Sequence, residues 1–151
     1  MRSLLVIALS VCVMAMGADP DPLEIKAFPL TMEKVNKFGN ASRALIQTGQ
    51  DRAIADEVAK YDPDSKTITA TVLAMQKHQA AIAAIEAAGL TPREYAVLGL
   101  ALMTSVLMVT MKRQGSIKAI PPSVSAENAA FVEQNYDAIQ KLMQGLQAPL
   151  K

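Results

Sequence analysis

From Tyr95 to Met111 the chain runs for seventeen residues without a charged side chain, and the residues that open the run dictate its conformation. Thr91-Pro92-Arg93-Glu94 supplies the parts of a helix start. Thr is an N-cap, Pro stands at the first helical position where its missing N–H costs nothing, and Glu three residues on can reach back to the cap N–H. Leu90 and Tyr95 are spaced as a hydrophobic staple across the same turn. The predicted helix continues to Gln114 and Gly115 and is apolar on every side. Such a helix has to be buried, either in a protein interior or in a bilayer. Seventeen residues at 1.5 Å each cover about 25 Å, short of the roughly 30 Å hydrocarbon core. The reading is a buried central helix, with a membrane span through residues 95–111 as the alternative.

The flanking segments are patterned to cover such a helix. Thr31 is a candidate N-cap, and Met32, Val35, Phe38 and Leu45 recur at helical spacing up to a stop at Gly49. A short helix is predicted from Asp51 to Lys60, ending at Tyr61-Asp62-Pro63-Asp64. A third spans Ser65 to Ala88, with Ile68, Val72, Met75, Ile82 and Ile85 as its stripe and Gly89 as its end. After a loop containing Pro121-Pro122, Ser125 caps a last helix with Val132, Tyr136, Ile139, Met143 and Leu146 on one face, ending near Gly145. No sustained period-two alternation and no Asn-Gly or Asp-Gly turn interrupts this pattern. The fold class is all-α: a small bundle of four main helices plus one short helix over residues 31–147, preceded by a Pro-rich extended lead-in over residues 18–30.

The N-terminus reads as a cleaved leader. Arg2 precedes the uncharged stretch Leu4 to Met16, and Ala15 and Gly17 offer the small residues that a signal peptidase requires. Cleavage is expected after Gly17 or Ala18, leaving a signal peptide of residues 1–17 and a periplasmic or extracellular product. The one cysteine, Cys12, leaves with the leader, so the mature chain needs no thiol chemistry in an oxidising compartment. Fifteen Lys and Arg against fourteen Asp and Glu, with no Trp, argue against a nucleic-acid surface.

One histidine and one cysteine leave little material for a metal or a nucleophilic triad. His78 lies at the edge of the third helix's stripe. With Met32 it could ligate a b-type haem between helices, although the chain has no Cys-x-x-Cys-His for covalent attachment. Met108 and Met111, at i and i+3, have a spacing that suits a soft ion, but Met in an apolar helix is ordinarily packing material. Asp62-Pro63-Asp64 lacks the glycine and the distal acid of a calcium loop and reads as a cap. No catalytic residue, metal site or cofactor is assigned. The expected function is a non-enzymatic binding or interaction module for a protein or a small apolar ligand. The alternative is a haem or apolar-ligand site between the third and fourth helices, lined by His78, Tyr95 and Met103.

Gly89-Leu90-Thr91-Pro92-Arg93-Glu94-Tyr95 before an apolar helix, then Pro-Pro and a Ser-Ala-Glu-Asn-x-x-Phe-Val run, resembles a group of small exported bacterial proteins of unknown function. The resemblance spans about the last half of the mature chain. It implies a helical exported protein and transfers no catalytic residue.

Overall fold

Thr91 opens the longest helix, α6 (Pro92–Arg113), by the two hydrogen bonds of a capping box. Its Oγ1 accepts from the Glu94 N–H at 3.1 Å, and its own N–H donates to Glu94 Oε2 at 2.8 Å. Around α6 the computed structural model, which describes residues 21–60 and 68–147, places α1 (Asp21–Ala27), α2 (Met32–Gln47), α3 (Gln50–Val58), α4 (Ile68–Gln76), α5 (Gln79–Ala87), α7 (Ala126–Gln134) and α8 (Tyr136–Gln147). Among the described residues every regular element is a helix, so the chain is all-α. The expected leader, with Gly17 and Ala18, and the Asp62-Pro63-Asp64 segment lie outside the described residues.

The helix count differs from the expected four plus one, for local reasons. Residues 21–27 are helical rather than extended. Pro22 sits in the first turn, where the backbone N–H groups have no helical partner, so a proline starts this helix instead of preventing it. The single helix expected over Ser65 to Ala88 is broken at Lys77-His78. Lys77 and His78 donate to the carbonyls three residues back, Ala74 and Met75, and close α4; His78 (φ −122°, ψ 86°) leaves helical geometry, and its carbonyl accepts the first two hydrogen bonds of α5. The two halves serve different neighbours, α4 lying against α3 and α6 while α5 lies against α2 and α6. The buried positions shift accordingly. Ala74 and Ala81 are fully buried, whereas Val72 and Ile82 of the expected stripe are only half-buried.

The last helix is likewise two. Asn135 (φ −112°, ψ 19°) interrupts it, and its side chain donates back to the Phe131 carbonyl at 2.8 Å, the local competition that makes Asn a helix breaker. This bend lets α7 lie on α6 and α8 on α2. Gly145 does not end the helix, which continues to Gln147.

The core is a single cluster. Leu98, Leu102 and Val109 of α6 are fully buried, with Val35 and Leu45 from α2, Ile68 from α4, Ile85 from α5, and Val132 and Ile139 from α7 and α8. Phe38 lies across Gly99, where a Cβ would come within 2.9 Å of its ring, and stacks on Tyr95 with centroids 4.9 Å apart. The uniform burial expected of α6 is not observed. Leu107 is 39% exposed and Met103 and Met111 are half-buried, so one stripe of the helix faces outward. All of α6, at 22 residues, is long and apolar enough to cross a membrane, with 44% of its most apolar window buried.

Asn128 ties the two ends of the described chain together. Its side chain accepts from the Leu30 N–H at 3.0 Å and donates to the Phe28 carbonyl at 2.8 Å, holding the α1–α2 connection on α7. At 3% exposure it is one of three buried polar residues in the described chain, with Ser42 and Ser105.

Candidate functional site

A concavity lies between α2 and α8. Asn36, Gly39, Asn40 and Arg43 stand at i, i+3, i+4 and i+7 on α2, which puts them on one face. Ala138, Lys141, Leu142 and Gly145 repeat that spacing on α8. The two stripes flank an open groove of about 580 Å³, within the roughly 300–1,000 Å³ usual for small-molecule sites. Its floor depends on Gly39. A Cβ there would stand 2.8 Å from Leu142 Cδ1 and 3.2 Å from Cγ, so a side chain at 39 would have to displace Leu142. Gly145 has no such packing reason: nothing lies within 4 Å of where its Cβ would be. A glycine inside a helix costs about 1 kcal/mol relative to alanine, and here the missing side chain leaves the end of the groove open.

The groove is electrostatically one-sided. No carboxylate lines it, and neither Arg43 nor Lys141 has an ion pair or hydrogen bond among the described residues. Most other cations are engaged. Lys37 pairs with Glu33 at 2.7 Å and, by hydrogen bond and charge, holds the Glu33 carboxyl below its ordinary range. Lys60 and Lys77 share Glu57, Arg93 Nε donates to Glu24 at 3.0 Å, and Lys112 meets Glu133. Lys34 bonds to the Pro29 carbonyl and lies over the Phe28 ring, and Arg113 lies over Tyr136. Asn36 and Asn40 are exposed and also lack partners. The arrangement can present a guanidinium, an ammonium and two amides to a ligand resting on an apolar floor.

None of the three lining residues expected from sequence borders this groove or the small cleft beside α1, which has room for about 10 Å³. Tyr95 is occupied: its hydroxyl lies 2.9 Å from Ser42 Oγ and its ring stacks on Phe38. Burial raises the Tyr95 pKa above its ordinary value, a shift that the Ser42 hydrogen bond partly offsets. Met103 lies eight residues further along α6, about 12 Å up the axis, on the half-buried outward stripe. His78 sits at the α4–α5 break with its Nε2 buried and unpartnered. Tyr95 and Met103 thus share a helix but not a cavity, and His78 joins neither at a described cleft. Met32 and Met108 pack against the core margin. Thr91, Pro92 and Glu94 form the helix start described above, and those hydrogen bonds, the Thr91 backbone N–H foremost, hold the Glu94 carboxyl below its ordinary range. Among the described residues no group of three His, Cys, Asp or Glu side chains is placed to hold a metal ion.

Reading for hydrophobic stripes passes over the groove, because its polar members stand outside those stripes. Two signals were nonetheless present: Asn36, Asn40 and Arg43 at helical spacing, and glycines at 39 and 145 inside helices.

Comparisons with protein-family models, with curated proteins and with solved structures find no match to this chain.

Proposed function

We propose that this chain is a small exported bacterial protein that acts non-enzymatically, as a binding module whose ligand occupies the groove between α2 and α8. The observation that carries the reading is the coincidence, in one concavity, of two unpaired cations and an apolar floor where Leu142 rests on Gly39. Unpaired charge at a formed cleft is ligand-binding capacity that the fold itself does not use. Export rests on the leader pattern of Arg2, the uncharged Leu4 to Met16 and the small residues Ala15 and Gly17.

Native mass spectrometry of the protein recovered from the periplasm or medium tests both halves. The expected species begins at Ala18 or Asp19 and carries an added small-molecule mass, which disappears in an Ala138→Trp variant that fills the groove. Full-length product from Met1, confined to the cell, would refute export. An exported protein with no adduct, and with the same thermal response to added small molecules as Ala138→Trp, would refute the binding module.

A second reading, membrane attachment through α6, is favoured by the length and apolar character of that helix and by its outward stripe of Met103, Leu107 and Met111. Against it stand Leu98, Leu102 and Val109 on the opposite side, already covered by the bundle.

A further inference from the structure

We infer that the α2/α8 groove takes an amphipathic anion, an alkyl chain bearing one carboxylate or phosphate, with the anionic head between Arg43 and Lys141 and the chain along Gly39 and Leu142. The inference rests on the binding-module reading and specifies its ligand.

The charge comes first. Arg43 and Lys141 are exposed at their tips, face a groove lined by no acid, and compensate no carboxylate within ion-pair distance. Lys26, Arg52 and Lys118 also lack partners, but they stand singly on α1, on α3 and in the α6–α7 loop, so the groove is where two free cations share one cleft. Asp137, one turn before Lys141 on α8, is not within ion-pair distance of it and does not line the groove. A guanidinium can grip a carboxylate or phosphate through two parallel N–H bonds, while an ammonium adds a mobile point charge. Asn40, one turn before Arg43 on α2, can donate an amide N–H to the same oxygens or accept from a hydroxyl.

The second consideration is the floor. Between the polar rims lie Gly39 and Leu142, with Gly145 leaving one end open. The lined stretch of α2 from Asn36 to Arg43 is seven residue steps, about 10 Å, which suits a medium-length alkyl chain better than a long one. A free inorganic anion would leave this apolar floor in water, and a neutral hydrocarbon would leave the two cations unanswered.

Calorimetric titration of the exported protein with octanoate, octyl phosphate, octanol and inorganic phosphate, each below any micelle-forming concentration, separates the cases. The expected result is saturable one-to-one binding of octanoate or octyl phosphate, at least tenfold weaker binding of octanol and of inorganic phosphate, and affinity that falls as NaCl is raised. The preferred head distinguishes a carboxylate from a phosphate ligand. Arg43→Gln and Lys141→Gln, both surface changes that keep the helices, should each lower the affinity about tenfold or more with unchanged circular dichroism. Equal binding of octanol and octanoate, insensitive to both variants, would overturn the anionic ligand while leaving the groove as a site for a neutral one. No binding of any of the four would also overturn it; if an adduct that Ala138→Trp abolishes still co-purifies, the binding module stands with a different ligand class, and if none does, both readings fall.

Discussion

Replacing Asn128 by alanine should destabilise this protein by more than any other exchange at a polar position, because one side chain there satisfies two backbone groups about a hundred residues away in sequence. The Leu30 N–H that donates to Asn128 Oδ1 belongs to a buried residue, with 6% exposure, and no water-facing alternative is at hand. Leaving such a donor unpaired costs roughly 1–3 kcal/mol. The Phe28 carbonyl that accepts from Nδ2 is only half-buried, so its loss is nearer the ordinary net value of a hydrogen bond, about 1 kcal/mol. Together the cost is about 3 kcal/mol, a large part of the roughly 5–15 kcal/mol that keeps a domain folded. With an m-value of about 2 kcal/mol per molar urea, the unfolding midpoint should fall by about 1.5 M. Asn128→Asp sharpens the test. It keeps the acceptor for Leu30 but turns the donor into an oxygen facing the Phe28 carbonyl, so it should be at least as damaging at pH 7 and should recover as acid protonates the carboxyl. Urea denaturation followed by circular dichroism at both pH values checks this. A loss under about 1 kcal/mol for Asn128→Ala, with unchanged m, would mean that the α1–α2 connection contributes little to folding and that the reasoning from these two bonds is wrong.

Two further outcomes follow from the core and the surface. Leu102→Asp places an unpaired carboxylate where a fully buried leucine packs, and should cost several kcal/mol, about 3–5 from the lost side chain alone; the parent from residue 19 onward should stay soluble without detergent and unfold cooperatively, and its retention in the membrane fraction after an alkaline wash would favour the span. Glu57 accepts from Lys77 and, at 2.9 Å, from Lys60, and these bonds bring its pKa down from 4.5 to about 2. A depressed acid contributes stability fully above its unfolded pKa and loses it as pH falls through the folded one, so the contribution should fade between pH 4.5 and 2, and the stability of Glu57→Gln should change less over that range.

What was legible in the sequence was whatever is settled within a few residues. Thr91, Pro92 and Glu94 make a helix start from three neighbouring side chains, and Thr31 and Ser125 cap by accepting from backbone N–H groups three positions on. Helical spacing of Val35, Leu45, Val132 and Ile139 marked residues that are indeed buried, because a 3.6-residue period puts them on one side regardless of neighbours. Interruptions of helices were less legible. His78 and Asn135 end helices within stretches whose apolar spacing carries on past them, and the ends arise where α4 parts from α5, and α7 from α8, to reach different partners. The Pro22 helix is not legible because a proline that blocks a helix interior also suits a first turn, and the short apolar spacing after it does not decide between the two. Only the tertiary structure decided which polar faces meet. Asn36, Asn40 and Arg43 on α2 come to line one groove with Lys141 of α8, about a hundred residues away, and Asn128 finds Phe28 and Leu30 across a similar distance. Local spacing puts a residue on a face of its own helix, but which other helix that face meets depends on how all the apolar stripes bury one another at once, and no window of neighbouring residues contains that information.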